Sequence, residues 1–282
     1  MDTARTAGLI SGDKLYQSRA RQALPLLVRQ AQAEQKIAYS DLAAELGMPN
    51  PRNLNYVLGS IGQALKALSE QWDEDVPPIQ CLVVNKQSGL PGEGIGWFIT
   101  PKEDFGTFPR GKQRRLIDAE LQKVFAYRKW SEVIKFFGLE AVPLNCHDAV
   151  AKACQFRAGG ETEAHRALKA HVACSPGLFD LAKSLRGEQE YRLPSGDSID
   201  ILFKSGADWL AVEVKPEGAP ESDIVRGFFQ CIKYRALIEA YQAAHTLARS
   251  ADAMLVLGGA LPSGLVGLKN VLGVRVVEGV KP

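Results

Sequence analysis

Residues 198–215 read SIDILFKSGADWLAVEVK, and this stretch decides how the C-terminal half of the chain folds. It consists of two apolar runs joined by a short polar link near Gly206, a combination that predicts an antiparallel hairpin. Because side chains alternate along a strand, Glu213 and Lys215 project from the same face of the second run. The hairpin also brings Asp200 of the first run beside Glu213.

The segments around this hairpin alternate between helical and extended patterns. A helical pattern and a third extended run precede the hairpin, and a long helical pattern and two further extended runs follow it. This order predicts an α/β domain in which a mixed sheet is flanked by helices. The segments are a helix at 161–174, a strand at 188–193, a helix from about 221 to 247, a strand at 254–258, a helical turn near 264–270 and a strand at 274–279.

Two carboxylates and a lysine share one face of the predicted hairpin. Carboxylate oxygens suit hard cations such as Mg²⁺. A divalent ion polarises a scissile phosphate, and a nearby lysine orients the attacking water or offsets charge that develops on the phosphate oxygens. Asp200, Glu213 and Lys215 therefore indicate phosphodiester hydrolysis. The structural alternative is that Glu213 and Lys215 form an ordinary solvent-facing pair on an edge strand.

Asp200 and the Glu-Val-Lys triplet that ends at Lys215 resemble the D-x(n)-(D/E)-x-K motif of the PD-(D/E)xK nuclease superfamily. The long helix that follows carries Gln230 and Tyr234, which match the QxxxY element of several branches of that superfamily. The resemblance covers roughly residues 150–260. It implies that Gln230 and Tyr234 order the catalytic site or hold the nucleic-acid backbone; the alternative for this pair is plain helix packing with a satisfied hydroxyl.

The family also places on its first helix a glutamate that points at the metal. Glu161 and Glu163 both qualify here, and Glu161 is favoured because it borders the apolar face of its helix. The resemblance then implies Mg²⁺ or Mn²⁺ held by Asp200, Glu213 and Glu161. The chain departs from the family pattern at Ile199, where a proline often precedes the aspartate.

The N-terminal half has the pattern of a winged helix. A helix at about 14–34, interrupted by Pro25, is followed by a short helix with Ser40 as its N-cap and by a longer helix from about Arg52 to Trp72. The runs IQCLVV and GWFI then predict two strands, joined by a hairpin loop that is rich in Gly and Pro.

The stretches 36–65 and 77–98 resemble the winged-helix domain of the O6-alkylguanine DNA alkyltransferase family. Arg52 matches the arginine that fills the gap of a flipped base, and Cys81 falls near the cysteine that accepts the alkyl group. The PCHRV motif around that cysteine is missing, because Gln80, Leu82 and Val83 stand where its proline, histidine and arginine belong. The resemblance therefore implies a DNA-binding module without alkyl transfer, and a protein-interaction module is the alternative. The expected DNA-binding residues are Arg52, Asn53, Asn55 and Lys86.

Composition fits two domains and a reducing compartment. The chain has 282 residues and a net charge of +2, which neither favours nor excludes nucleic acid. Its five cysteines include no CxxC pair, so neither a disulfide scaffold nor a zinc site is expected. It has neither a signal-peptide pattern nor a membrane-spanning apolar run, so a cytoplasmic protein is expected. The predicted domains are a winged helix at 1–110, a helical connector at 111–145 and a nuclease domain at 146–282.

The two halves together predict a Mg²⁺-dependent DNA endonuclease with a winged-helix DNA-binding module, suited to restriction, phage defence or repair. Many such nucleases cut both strands as dimers, which makes a homodimer one possible assembly. Two alternatives stay open: a nuclease fold that only binds DNA or a partner, and a damage-recognition protein that binds alkylated duplex without cutting it. Alanine at Asp200 or Lys215 is expected to abolish cutting while the fold is kept.

Overall fold

A computed structural model describes residues 6–101, 103–143, 146–155, 162–206, 208–245 and 250–282, apart from two side chains in 146–155. The chain divides into two compact units, Met1–Leu144 and Asn145–Pro282. Each unit has its own hydrophobic core.

The second unit combines helices with a five-stranded sheet, as the alternation of helical and extended patterns predicts. The order of the five strands in the sheet follows their order along the chain. The first two pairings are antiparallel and the last two are parallel, so the sheet is mixed. The elements are α7 (His147–Gln155), α8 (Glu163–Ala173), β3 (Glu188–Arg192), β4 (Ser198–Ser205), β5 (Asp208–Lys215), α9 (Glu221–Ala244), β6 (Ala251–Leu257), α10 (Val266–Leu272) and β7 (Arg275–Val277).

The two faces of this sheet pack on different helices. On one face, Phe228 and Ile238 of α9 pack with Ala211 of β5 and with other apolar residues of the sheet. On the opposite face, Leu168 and Val172 of α8 pack with the other set of strand side chains. This second set comprises Ile201, Phe203, Leu210, Val212, Val214, Met254 and Val256. The prediction of a mixed sheet flanked by helices is therefore confirmed.

The sheet is irregular at one level, that of Asp200. In a regular strand, residues two apart lie on the same face of the sheet. Ile199, however, packs on the α9 face and Ile201 on the α8 face, so the regular alternation of side chains is interrupted between them. The ladder of β4 and β5 ends at the pair Ile201 and Val212. On β3, Glu190 lies opposite Asp200 in the register and has a φ of 52°, a left-handed conformation that costs free energy in a residue with a side chain.

The first unit is mainly helical. Its helices are α1 (Leu15–Gln32), α2 (Tyr39–Glu45), α3 (Leu54–Trp72), α4 (Gly96–Ile99), α5 (Arg110–Ala126) and α6 (Trp130–Phe136). Two short strands, β1 (Ile37–Ala38) and β2 (Val83–Val84), pair in parallel. The helix α1 continues through Pro25 without a break, and α2 begins at Tyr39, so Ser40 lies inside that helix and is not its cap.

The core of the first unit includes the segment that was predicted to be a connector. Ile117, Leu121 and Val124 of α5 are buried in it, together with Trp130 and Val133 of α6. The stretch 111–145 thus contributes to a hydrophobic core over most of its length.

The predicted hairpin of the first unit is not formed. The run GWFI is helix α4 instead of a return strand, and Phe98 packs where Gly62 of α3 leaves room for its ring. The run IQCLVV begins as a 3₁₀ helix at Ile79–Leu82, and only its last two residues are extended. The three helices of the predicted winged helix are present, but the winged helix itself is not confirmed.

No helix within the described part of the chain combines the length and the apolar character that crossing a membrane requires.

Candidate active site

The Asp200 carboxylate accepts a backbone hydrogen bond within the sheet. Beyond the last β4–β5 pair, the Val214 N–H donates to Asp200 Oδ2 at 3.0 Å instead of to a strand carbonyl. The strands therefore separate at the point where Asp200 stands, and its carboxylate bridges the gap. This contact holds the carboxylate against the backbone between Glu213 and Lys215.

Glu213 and Lys215 form a buried ion pair on β5. Lys215 Nζ lies 3.0 Å from Glu213 Oε1. Glu213 is 2% exposed and Lys215 is 5% exposed. Val212 and Val214 face the opposite side of the sheet, as the alternation predicts. The alternative of a solvent-facing surface pair is therefore wrong.

Asp223 is a fourth charged member of the cluster that sequence reasoning missed. It lies in the first turn of α9, and its Oδ1 is 2.9 Å from Lys215 Nζ. Burial lowers the pKa of Lys215, but the negative charges of Glu213 and Asp223 raise it by more, so its ammonium stays charged. The sequence shows only an acidic first turn in this helix, which is a common feature of helix N-termini.

Gln230 and Tyr234 connect this cluster to β4. Gln230 Oε1 is 3.5 Å from Lys215 Nζ, and its Nε2 donates to the Tyr234 hydroxyl at 3.2 Å. That hydroxyl donates to the Ser198 carbonyl at 2.9 Å, two residues before Asp200. The predicted residues Asp200, Glu213, Lys215, Gln230 and Tyr234 are thus brought together by three elements.

His165 is a further neighbour of Asp200 whose place the sequence did not indicate. It projects from α8, and its Nε2 lies 3.4 Å from Asp200 Oδ2. The contact with Asp200 raises the pKa of His165 above its usual value. The available signal was spacing, because His165, Leu168 and Val172 follow one another at i, i+3 and i+7 on the buried face of the helix.

The two carboxylates differ in their electrostatic environment. Burial raises the pKa of Asp200, but the nearby His165 ring and the hydrogen bond from the Val214 N–H outweigh it, and the net pKa is lowered. Burial, followed by the charge of Asp200, raises the pKa of Glu213 to about 7. Asp200 is thus ionised near neutral pH while Glu213 is poised between its two states.

Replacing Glu213 by Gln should remove a pH dependence of stability. Between an unfolded pKa near 4.5 and a folded pKa of about 7, the folded protein keeps a proton that the unfolded chain releases. Protonated Glu213 therefore stabilises the folded state in full at a pH below the unfolded pKa. This contribution is lost as the pH rises through the folded pKa. We expect the free energy of unfolding of wild type to fall by about 1–3 kcal/mol relative to Glu213→Gln across this range.

Urea denaturation in the presence of chelator, repeated across this pH range, measures the difference. Glu188→Gln is the matched control, because Glu188 is an exposed glutamate on β3. Parallel pH profiles for wild type and Glu213→Gln would show that burial does not perturb this carboxyl.

The third predicted metal ligand, Glu161, lies outside the described residues. Glu163, the alternative on the same helix, is exposed and lies 3.4 Å from Arg166, so it does not join the cluster. Among the described residues, no three His, Cys, Asp or Glu side chains are arranged to hold a metal ion.

The residues predicted to bind DNA are all in the first unit. Arg52 and Asn53 are exposed in the 3₁₀ helix just before α3, and Asn55 is exposed in the first turn of α3. Lys86 is exposed, with its Nζ 3.4 Å from Asp41. Cys81 is fully buried, and burial raises its pKa, which suppresses the thiolate that alkyl transfer needs.

Comparisons with protein-family models, with curated proteins and with solved structures gave no match to this chain. Fold and site together define an α/β protein whose sheet carries a buried glutamate–lysine pair with two partly buried aspartates beside it.

Proposed function

We propose that this protein is a metal-dependent DNA endonuclease of the PD-(D/E)xK type. One observation carries the proposal: the buried pair of Glu213 and Lys215 lies beside Asp200 where two strands separate. Burying charged groups is costly, and stability alone seldom requires it because apolar residues of similar size serve as well or better. A catalytic centre accounts for the cost.

The donors fit a hard divalent cation such as Mg²⁺ or Mn²⁺. Glu213 Oε2 is buried and has no hydrogen-bond partner among the described residues. Burial and then the Asp200 charge raise the pKa of Glu213, so a cation near both carboxylates would relieve their repulsion. Asp200 and Glu213 would hold the ion, with Glu161 as the proposed third ligand. When bound, such an ion supplies charge stabilisation at the scissile phosphate.

Lys215 supplies the second positive charge in this proposal. Its ammonium is held by Glu213, by Asp223 and by the more distant Gln230, which leaves it little rotational freedom. A fixed cation stabilises charge developing on a phosphate oxygen, or orients an attacking water, without reorganising at the moment of reaction. Tyr234 acts indirectly, because its hydrogen bonds fix Gln230 and the start of β4.

Cleavage assays test the proposal. Supercoiled plasmid, linear duplex and single-stranded RNA are incubated with Mg²⁺, with Mn²⁺ or with chelator. We expect nicked or linear plasmid with either metal and intact plasmid with chelator. Binding of duplex without cleavage under all of these conditions would favour the non-catalytic alternative instead.

We propose that the exposed Arg52, in the 3₁₀ helix just before α3, contacts the DNA backbone. A positive side chain there releases counterions from the duplex, so affinity depends on salt. Arg52→Glu should weaken duplex binding about three- to tenfold and lower the slope of affinity against salt. Fluorescence anisotropy at several salt concentrations measures both quantities. Arg128→Glu is the control, because Arg128 is also exposed but lies between α5 and α6. Equal losses in the two variants would assign the effect to net charge.

A further inference from the structure

A cavity of about 820 Å³ opens in the first unit, away from the residues used above for catalysis. Its size falls in the range of small-molecule sites. The described residues that line it come from the N-terminal parts of α2 and α3, the 3₁₀ helix before β2, and the segments 91–101 and 103–105. We call it the Gln80 cavity after one of its lining residues.

Gln80 is a buried polar side chain without a partner. It is 4% exposed, and neither its Oε1 nor its Nε2 has a hydrogen-bond partner among the described residues. Leaving a buried amide unpaired costs free energy, and in native proteins each such group calls for an explanation. Gly62 makes the arrangement possible, because a Cβ there would lie 2.4 Å from Gln80 Nε2. The chain thus keeps an unpaired amide at the wall of a cavity, which points to a ligand.

Aromatic side chains supply the rest of the cavity wall. Trp97, Phe98 and Phe105 line it, and so does Tyr39, whose hydroxyl accepts the Gly92 N–H at 3.1 Å. Aromatic rings offer flat apolar surface on which a planar ligand can stack. An amide with rings around it favours a ligand that is both planar and able to hydrogen-bond at one edge.

The charged residues among the described lining of the cavity are carboxylates. Glu93, Glu103 and Asp104 line it and are exposed, and Lys112 lies 3.5 Å from Glu103. None of the described residues that line the cavity is a lysine, an arginine or a histidine. Like charges repel an approaching anion, so a ligand with phosphate groups is disfavoured.

We propose that the Gln80 cavity binds an uncharged, planar nitrogen heterocycle of the nucleobase or nucleoside class. The Gln80 amide presents a donor and an acceptor side by side, which matches an edge of the same kind on adenine or cytosine. The heterocycle comes as a free molecule, because a base within DNA would bring its phosphates to the carboxylates at the cavity. This site is independent of the proposed cleavage reaction.

Isothermal titration calorimetry of the full chain with adenosine, guanosine, cytidine and thymidine tests the proposal. We expect at least one nucleoside to bind with a Kd below about 1 mM, and its 5′-monophosphate to bind at least about fivefold more weakly. Gln80→Leu should weaken nucleoside binding at least about tenfold. Its melting temperature should not fall, because the variant removes two polar atoms that have no partner.

Ser60→Ala is the matched control. Ser60 is fully buried, its Oγ also lacks a partner among the described residues, and it does not line the cavity. Its replacement should leave nucleoside binding unchanged. Four results would overturn the proposal: no binding of any nucleoside, binding that Gln80→Leu leaves intact, tighter binding of the monophosphate, and binding only of a base within duplex DNA.

Discussion

Asp200→Asn is expected to lower metal-dependent DNA cleavage by at least about a thousandfold, because it removes the charge of a proposed metal ligand. The variant should fold. Its side-chain oxygen can still accept the Val214 N–H, which alanine could not do. Loss of one charge-assisted contact with His165 should cost about 1–2 kcal/mol. Plasmid cleavage and thermal unfolding by circular dichroism measure the two effects separately.

Asp208→Asn is the control for this prediction. Asp208 lies at the other end of the same hairpin, is exposed and accepts a hydrogen bond from Ser250. Asp208→Asn should cleave like wild type. If Asp200→Asn also cleaved like wild type, the Asp200 carboxylate would have no part in the reaction. If Asp200→Asn failed to fold, the role of Asp200 would be structural.

Lys215→Met is expected to abolish cleavage and to destabilise the fold. The variant leaves the buried Glu213 and the partly buried Asp223 without their shared cation, and breaking a buried ion pair costs about 3–5 kcal/mol. Protonation of Glu213, whose pKa is already about 7, relieves part of this cost at lower pH. The loss measured by urea denaturation should therefore be larger at about pH 8 than at about pH 6. For the same reason we expect alanine at Lys215 to destabilise the fold, in contrast to the prediction from the sequence.

A second substitution separates electrostatics from packing. Adding Glu213→Gln to Lys215→Met removes one of the two uncompensated carboxylates, so stability at about pH 8 should partly return while cleavage stays absent. Lys204→Met on the neighbouring strand is the control, because Lys204 is half-buried and pairs with Glu188 at 3.1 Å. If the double variant were no more stable than Lys215→Met, lost packing would explain the destabilisation.

Much of the second unit could be predicted from its sequence because its strands are long and apolar. In β5, seven consecutive buried residues, Trp209–Lys215, follow one exposed residue, and the two charges among them stand out at alternate positions. The slip of β4 at Asp200 could not be predicted, since it depends on where the ladder with β5 ends. Asp223 and His165 were missed because they lie on helices that approach the strands only after folding.

The first unit was predicted less well because its apolar runs are short. A run of four residues such as GWFI is compatible with a strand or with one helical turn, and the contact of Phe98 with Gly62 decides between them. The helical spacing of Leu54, Ile61 and Leu68 predicts one apolar face for α3, and all three are buried. By contrast, helical spacing would put Leu15 on the apolar face of α1, but the residue is 66% exposed.

The hydrogen bond from Val214 to Asp200 makes one backbone amide a reporter of the site. Amide proton shifts respond to the charge of the oxygen that accepts them, so nuclear magnetic resonance could follow the ionisation of Asp200 through this one signal. Titration with Mg²⁺ would move the same resonance if Asp200 binds the ion. The wild-type chain therefore carries its own spectroscopic probe, which needs no substitution and no catalytic turnover.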